Sequence, residues 1–120
     1  MTSDLLESHL LSFKGASGSY PFGPGTLVFK VRNKMFALLG KFQGQPGLNL
    51  KVDPADGEEL VSQFESVIPG YHMNKRHWVT VILGGDLPEE LLFDLSVQSY
   101  QLVVSKMTKV EQRKLDEELD

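Results

Sequence analysis

The chain has 120 residues, the size of one domain, which buries roughly two-thirds of its unfolded surface without staples. Its residues are 41% hydrophobic, 23% charged and 9% aromatic, a globular balance that excludes collagen, a disordered tail and a coiled coil. There is no cysteine, which excludes a disulfide framework, a thiolate zinc site, an iron–sulfur cluster and a cysteine nucleophile.

The opening MTSDLLESHLLSF carries acids where a signal peptide needs bases. No apolar run approaches the ~20 residues that span a bilayer. The expectation is a soluble, cytoplasmic protein with no membrane partner. Leu5, Leu6, Leu10 and Phe13 share helical spacing, so a first helix is predicted over Ser3 to Phe13. Gly15-Ala16-Ser17-Gly18-Ser19 reads as a loop. Tyr20-Pro21-Phe22-Gly23-Pro24-Gly25 is a rigid aromatic turn, with Phe22 expected to cover one end of the core.

Thr26 to Val31 alternates as a strand, with Leu27, Phe29 and Val31 on one side. Arg32-Asn33 makes a tight turn, since Asn tolerates positive φ. Lys34 to Gly40 returns as a second strand. Gln43 to Gly47 reads as a loop, and Leu48 to Val52 as a third strand with Asn49 and Lys51 outward. Asp53-Pro54 opens a helix: Pro suits its first position and the Asp carboxylate can accept orphan N–H groups. Val67 to Gly70 reads as a turn and His77 to Leu83 as a strand. A long helix follows from Pro88 to about Lys106. Thr108 and Glu111 have capping-box spacing, starting a polar C-terminal helix whose end is expected to fray.

Strands that cluster rather than alternate with helices predict an α+β, two-layer fold: an antiparallel sheet backed by helices on one face and wet on the other. The wet face should display Lys30, Arg32, Asn49 and Lys51 together.

Net charge is −4, which alone argues against a nucleic-acid partner, because phosphate binding needs positive potential. The distribution tells more. Residues 26–52 carry Lys30, Arg32, Lys34, Lys41 and Lys51 and no acid, whereas residues 53–66 carry five acids and no base. Lys75 and Arg76 stand in another stretch without acids, 67–85.

Three segments resemble the MmcQ/YjbR family, described as predicted DNA-binding proteins with a double-wing motif. The first is Tyr20-Pro21-Phe22-Gly23-Pro24-Gly25-Thr26-Leu27-Val28-Phe29-Lys30-Val31, leading into Lys34-Met35-Phe36-Ala37-Leu38. The second is Leu48-Asn49-Leu50-Lys51 running into Asp53-Pro54. The third, the most specific, is Ile68-Pro69-Gly70-Tyr71-His72-Met73-Asn74-Lys75-Arg76-His77-Trp78, followed later by Ser99-Tyr100. The resemblance spans about residues 5–107, giving a domain over 1–107 and a polar helical tail over 108–120. The Arg32-Asn33 turn departs from the small or Gly residues common in the family, and the acidic tail looks like an extension. The resemblance implies a CyaY-like or secretion-chaperone-like fold of order α-β3-α-β2-α, a bacterial source, and DNA as partner. It brings no catalytic residue, metal or cofactor.

Two clusters are candidate sites. Lys30, Arg32, Lys34 and Lys51, joined by Lys75 and Arg76, suit a phosphate backbone tracked by a basic sheet face and hairpin. Against this stands simple solvation of an exposed sheet by lysines. His72, Asn74, Lys75, His77 and Trp78, with Tyr100 as a hydrogen-bonding neighbour, suit an anion or small ligand. Against this stands a structural role, with Trp78 and one His in the core and hydrogen bonds fixing a turn. His72 and His77 could hold a metal only with a third ligand from elsewhere, such as His9 or an acid, and no acid–base or metal pair for hydrolysis is visible. The leading expectation is a non-enzymatic DNA-binding module of weak sequence preference. The rival is a protein-partner or small anionic ligand-binding domain of the secretion-chaperone-like type.

Overall fold

The computed structural model describes residues 3–117. In chain order the elements are α1 (Ser3–Leu11), β1 (Ala16–Ser19), β2 (Thr26–Val31), β3 (Lys34–Phe42), β4 (Gln45–Lys51), α2 (Pro54–Gln63), β5 (Val67–Pro69), β6 (Trp78–Ile82), α3 (Glu89–Ser105) and α4 (Lys109–Glu117). Six strands form one sheet in the order β1-β2-β3-β4-β6-β5, every neighbouring pair antiparallel. The α+β architecture is the expected one, with β1 and α4 added to the order the resemblance implied.

Short-range patterning explains most of the strands. Leu27, Phe29, Leu39, Leu48, Leu50, Val79 and Val81 are buried on the sheet face that meets the helices. Leu6 and Leu10 of α1, Leu60 of α2, and Leu92, Leu95 and Val103 of α3 complete that core. Both long hairpins close through two residues with positive φ, Arg32-Asn33 (46° and 67°) and Gln43-Gly44 (53° and 79°). This mirror-image turn suits the right-handed twist of paired strands.

Four local expectations are corrected. Gly15 to Ser19 is not a loop: residues 16–19 pair with 28–31 as an edge strand. Its small side chains carry little propensity signal, and pairing with β2 supplies the order. Gln43 to Gly47 contains a turn of only two residues, with β4 already paired from Gln45. Val67 to Pro69 is a strand on β6. Phe22 is 72% exposed and covers nothing.

The supposedly wet face is also largely covered. Val28, Leu38 and Trp78 form a second small core there, with Met35 and Met73 against it. Asn49 is 1% exposed and Thr80 is fully buried. The Thr80 hydroxyl donates to Asn49 Oδ1, and the Tyr71 amide donates to Thr80 Oγ1 at 2.9 Å. The segment from Gly70 to His77 is therefore folded back beside this face and closes its middle.

The C-terminal helix is held in place. The Glu111 amide donates to Thr108 Oγ1 at 3.1 Å and the Thr108 amide to Glu111 Oε1 at 3.3 Å, the anticipated capping box. Leu115 reaches the main core, Gln112 Nε2 donates to the carbonyls of Val104 and Met107, and Asp116 pairs with Lys14 at 3.2 Å. These anchors oppose fraying up to residue 117.

Candidate nucleic-acid interface

The antiparallel strand directions bring the β2–β3 turn, the start of β3, the end of β4 and the start of β6 to the same end of the sheet. Four of the six anticipated cations sit there. Arg32 lies in the turn, Lys34 begins β3, Lys51 ends β4 opposite Trp78, and Arg76 stands two residues before β6. Lys30 is one pair inward, opposite Met35. Among the described residues the ion pair found is Lys14–Asp116, so no described carboxylate lies within ion-pair distance of Lys30, Lys34, Lys51, Lys75 or Arg76. Acids share the neighbourhood: Asp53 and Asp56 line a cleft with Lys51, and Glu58 lines another with Lys75 and Arg76.

A single irregularity sets the position of Lys51. Phe29 pairs with Ala37 and Lys30 with Met35, so Phe36 is an extra residue in β3. Its ring turns into the main core against Phe13, Phe29 and Tyr100. The β3–β4 register continued past Ala37–Leu50 sets Phe36 opposite Lys51, but the two do not bond directly. Ser99 of α3 stands between them: the Lys51 amide donates to Ser99 Oγ at 2.8 Å, and the Ser99 hydroxyl donates to the Phe36 carbonyl at 2.6 Å. A helix side chain thus completes the sheet ladder where the bulge interrupts it.

The anticipated ligand cluster is not assembled as one site. The segment is a structured turn that consumes its own polar groups. Lys75 Nζ donates to the Gly70 carbonyl at 2.8 Å, and Asn74 Oδ1 accepts from the Arg76 amide at 2.9 Å. The Gly70 amide donates to the Trp78 carbonyl and the Val52 amide to the His77 carbonyl, both at 2.9 Å. Gly70 is required: a Cβ there would lie 2.8 Å from Trp78 Cβ. His72 has φ of 58° and rests on Tyr71 with ring centroids 4.1 Å apart. Trp78 is 8% exposed, a core residue of the covered face.

Tyr100 is on the other side of the sheet and does not join the cluster. Its hydroxyl donates to the Lys14 carbonyl at 2.5 Å. Burial, and secondarily the Asp116 carboxylate, push its pKa above the usual tyrosine value. Instead of hydrogen-bonding the 72–77 segment, Ser99 serves the bulge and Tyr100 the α1–β1 connection. His9 lies between Phe13 and Phe93, at centroid distances of 5.0 and 4.5 Å, on α1. The described residues contain no group of three or more His, Asp or Glu placed to hold a metal, and no described helix is long and apolar enough to cross a membrane.

Sequence reasoning missed a cleft of about 300 Å³ between the end of β4, the start of α2 and α3, lined by Lys51, Asp53, Asp56, Gln98, Gln101 and Ser105 over Leu95 and Leu102. The signal available was the spacing of Gln98 and Gln101, three apart on a helix whose other face is apolar. Asp53 also departs from expectation. It precedes α2 without any side-chain cap hydrogen bond, leaving its carboxylate at the cleft.

A family model described as YjbR matches residues 11–102. The chain belongs to the YjbR family. Two curated YjbR-family relatives come from Escherichia coli. The uncharacterized protein YbdF of strain O157:H7 is 43% identical over 98 residues, covering 80% of this chain and 79% of the relative. The uncharacterized protein YjbR of strain K12 is 34% identical over 115 residues, covering 96% and 97%. Among solved structures, protein DR2400 of Deinococcus radiodurans, a DUF419 domain, matches with a TM-score of 0.87 and 44% identity over 96% of this chain and 88% of that one. A Pseudomonas syringae protein matches with a TM-score of 0.73 and 27% identity, covering 85% of this chain and 98% of that one. The YjbR match and these structures agree with the sheet-and-helix architecture described above.

Proposed function

We propose that this YjbR-family chain is a non-enzymatic module that grips the phosphate backbone of DNA at the end of its sheet formed by the β2–β3 turn, β4 and the segment before β6. One observation supports the reading: cations distant in sequence, at 34, 51 and 76, line that end in spatial order, and none is ion-paired with a described carboxylate, although Asp53 and Asp56 share a cleft with Lys51 and Glu58 shares one with Arg76. Phosphate oxygens accept from such ammonium and guanidinium groups without reading bases. Among the described helices α1, α2 and α3 carry no Lys or Arg, and α4 interleaves Lys109, Arg113 and Lys114 with Glu111, Asp116 and Glu117, so sequence preference is weak. Asn49 and Thr80 are buried, so within the expected sheet face and hairpin the proposed grip uses the cations at the sheet's end.

The test is anisotropy of a labelled duplex in low salt. Affinity should fall linearly in log–log form as salt rises, with a slope of about −0.9 per phosphate contact. The double variant Lys34→Glu, Arg76→Glu should reduce that slope by about 2 in magnitude, equally on unrelated duplex sequences. An absence of binding at low salt, or binding that ignores the double variant, sinks the proposal.

A further inference from the structure

We infer that the cleft between the end of β4, the start of α2 and α3 binds a single guanine base of a guanine nucleotide. The inference goes beyond the phosphate grip and rests on different groups. The cleft has an apolar floor, Leu95 and Leu102, and a rim of amide and carboxylate side chains, Gln98, Gln101, Asp53 and Asp56. Its volume of about 300 Å³ is at the low end for small-molecule sites, so it admits one heterocycle and no duplex.

The rim groups are chemically idle. Among the described residues, Asp53, Asp56, Gln98 and Gln101 make no side-chain hydrogen bond or ion pair. Their donors and acceptors are therefore available to a ligand rather than spent on the fold. A guanine presents N1–H and N2–H₂ side by side, a pair of donors matched to one carboxylate, and O6 beside them, matched to an amide N–H₂. Uracil and thymine present one ring N–H between two carbonyls and would set oxygen against a carboxylate. Two carboxylates against one lysine disfavour a bare anion, and the apolar floor disfavours a polyamine.

The test is a titration of the full-length, isotope-labelled chain followed by ¹H–¹⁵N spectra. The probes are guanosine 5′-monophosphate, inosine 5′-monophosphate, uridine 5′-monophosphate, ribose 5-phosphate and spermidine. The guanosine nucleotide should shift the Gln98 and Gln101 side-chain amides saturably. The inosine nucleotide, which lacks the 2-amino group, should bind about tenfold more weakly. Asp56→Asn should abolish the glutamine shifts, and Gln98→Leu with Gln101→Leu should abolish the accompanying saturable shifts of the Asp53 and Asp56 backbone amides, while leaving the rest of the spectrum in place, since all three substituted positions are exposed. Absence of shifts with the guanosine nucleotide overturns the inference, as does ribose 5-phosphate or spermidine binding equally well. Guanosine binding without duplex binding would remove the phosphate grip alone. Duplex binding with silent glutamine amides would remove the cleft proposal alone.

Discussion

Replacing Ser99 by alanine isolates the contribution of the hydroxyl that bridges the bulge. Ser99 is fully buried, and its oxygen takes the Lys51 amide and satisfies the Phe36 carbonyl. Without it, one N–H and one C=O of the sheet lose their partners in the interior. Each unsatisfied buried group costs about 1–3 kcal/mol, so Ser99→Ala should destabilise the fold by about 2–6 kcal/mol. In a domain of this size that lowers Tm by roughly 10 °C or more. Ser96 is the internal control, equally buried on the same helix. Its hydroxyl donates to the Leu92 carbonyl at 2.9 Å, four residues back, a position where the helix ladder supplies a donor anyway. Ser96→Ala should therefore cost under about 1 kcal/mol. Urea unfolding of both variants measures the difference through the midpoint at constant m-value. Equal losses for the two variants would refute the bridging argument, as would unchanged hydrogen exchange at the Lys51 amide.

Two further outcomes follow from the covered face and the loop before α3. Trp78→Ala removes the largest side chain of the second core and should cost about 3 kcal/mol. Exchange should accelerate at the Gly70 amide, which bonds the Trp78 carbonyl. The Asp86 carboxylate accepts from the amides of Glu65 and Ser66, both at 2.9 Å. Ser66, through its hydroxyl and amide, and then the Glu65 amide hold its pKa below the ordinary 3.8. A depressed carboxylate stabilises the fold above its unfolded value and loses that contribution as pH falls through its folded value. Urea midpoints of wild type and Asp86→Asn should therefore differ at neutral pH and converge below pH 3.8. A gap that persists in acid would refute the assignment.

Periodicity made the large features legible. Alternating Leu27, Phe29 and Val31, the Arg32-Asn33 turn, the strand around Val79 and Val81, and the Thr108/Glu111 cap were all visible in the sequence, because each is set by neighbours within a few residues. The edge strand at 16–19 was not, because small residues commit to extended structure only when β2 lies beside them. The alternation around Asn49 showed which face it shares with Lys51 but not that a later segment would cover it. The cations at the sheet end were legible as residue types, while their shared end depends on the strand order. The glutamine-rich cleft depends on a helix 47 residues beyond Lys51 in sequence, as Gln98 shows, and no local pattern announces such a meeting.

The ties made by Lys14 also bear on how the chain reaches this state. Its carbonyl receives a bond from Tyr100, 86 positions later, and its ammonium meets Asp116, 102 positions later. The two tight hairpins need almost no loop closure, whereas these contacts must close nearly the whole chain. The stretch after α1 is therefore tied down by partners made much later in the chain. The β2–β4 meander closes through local two-residue turns, whereas Lys14 is held through α3 and α4.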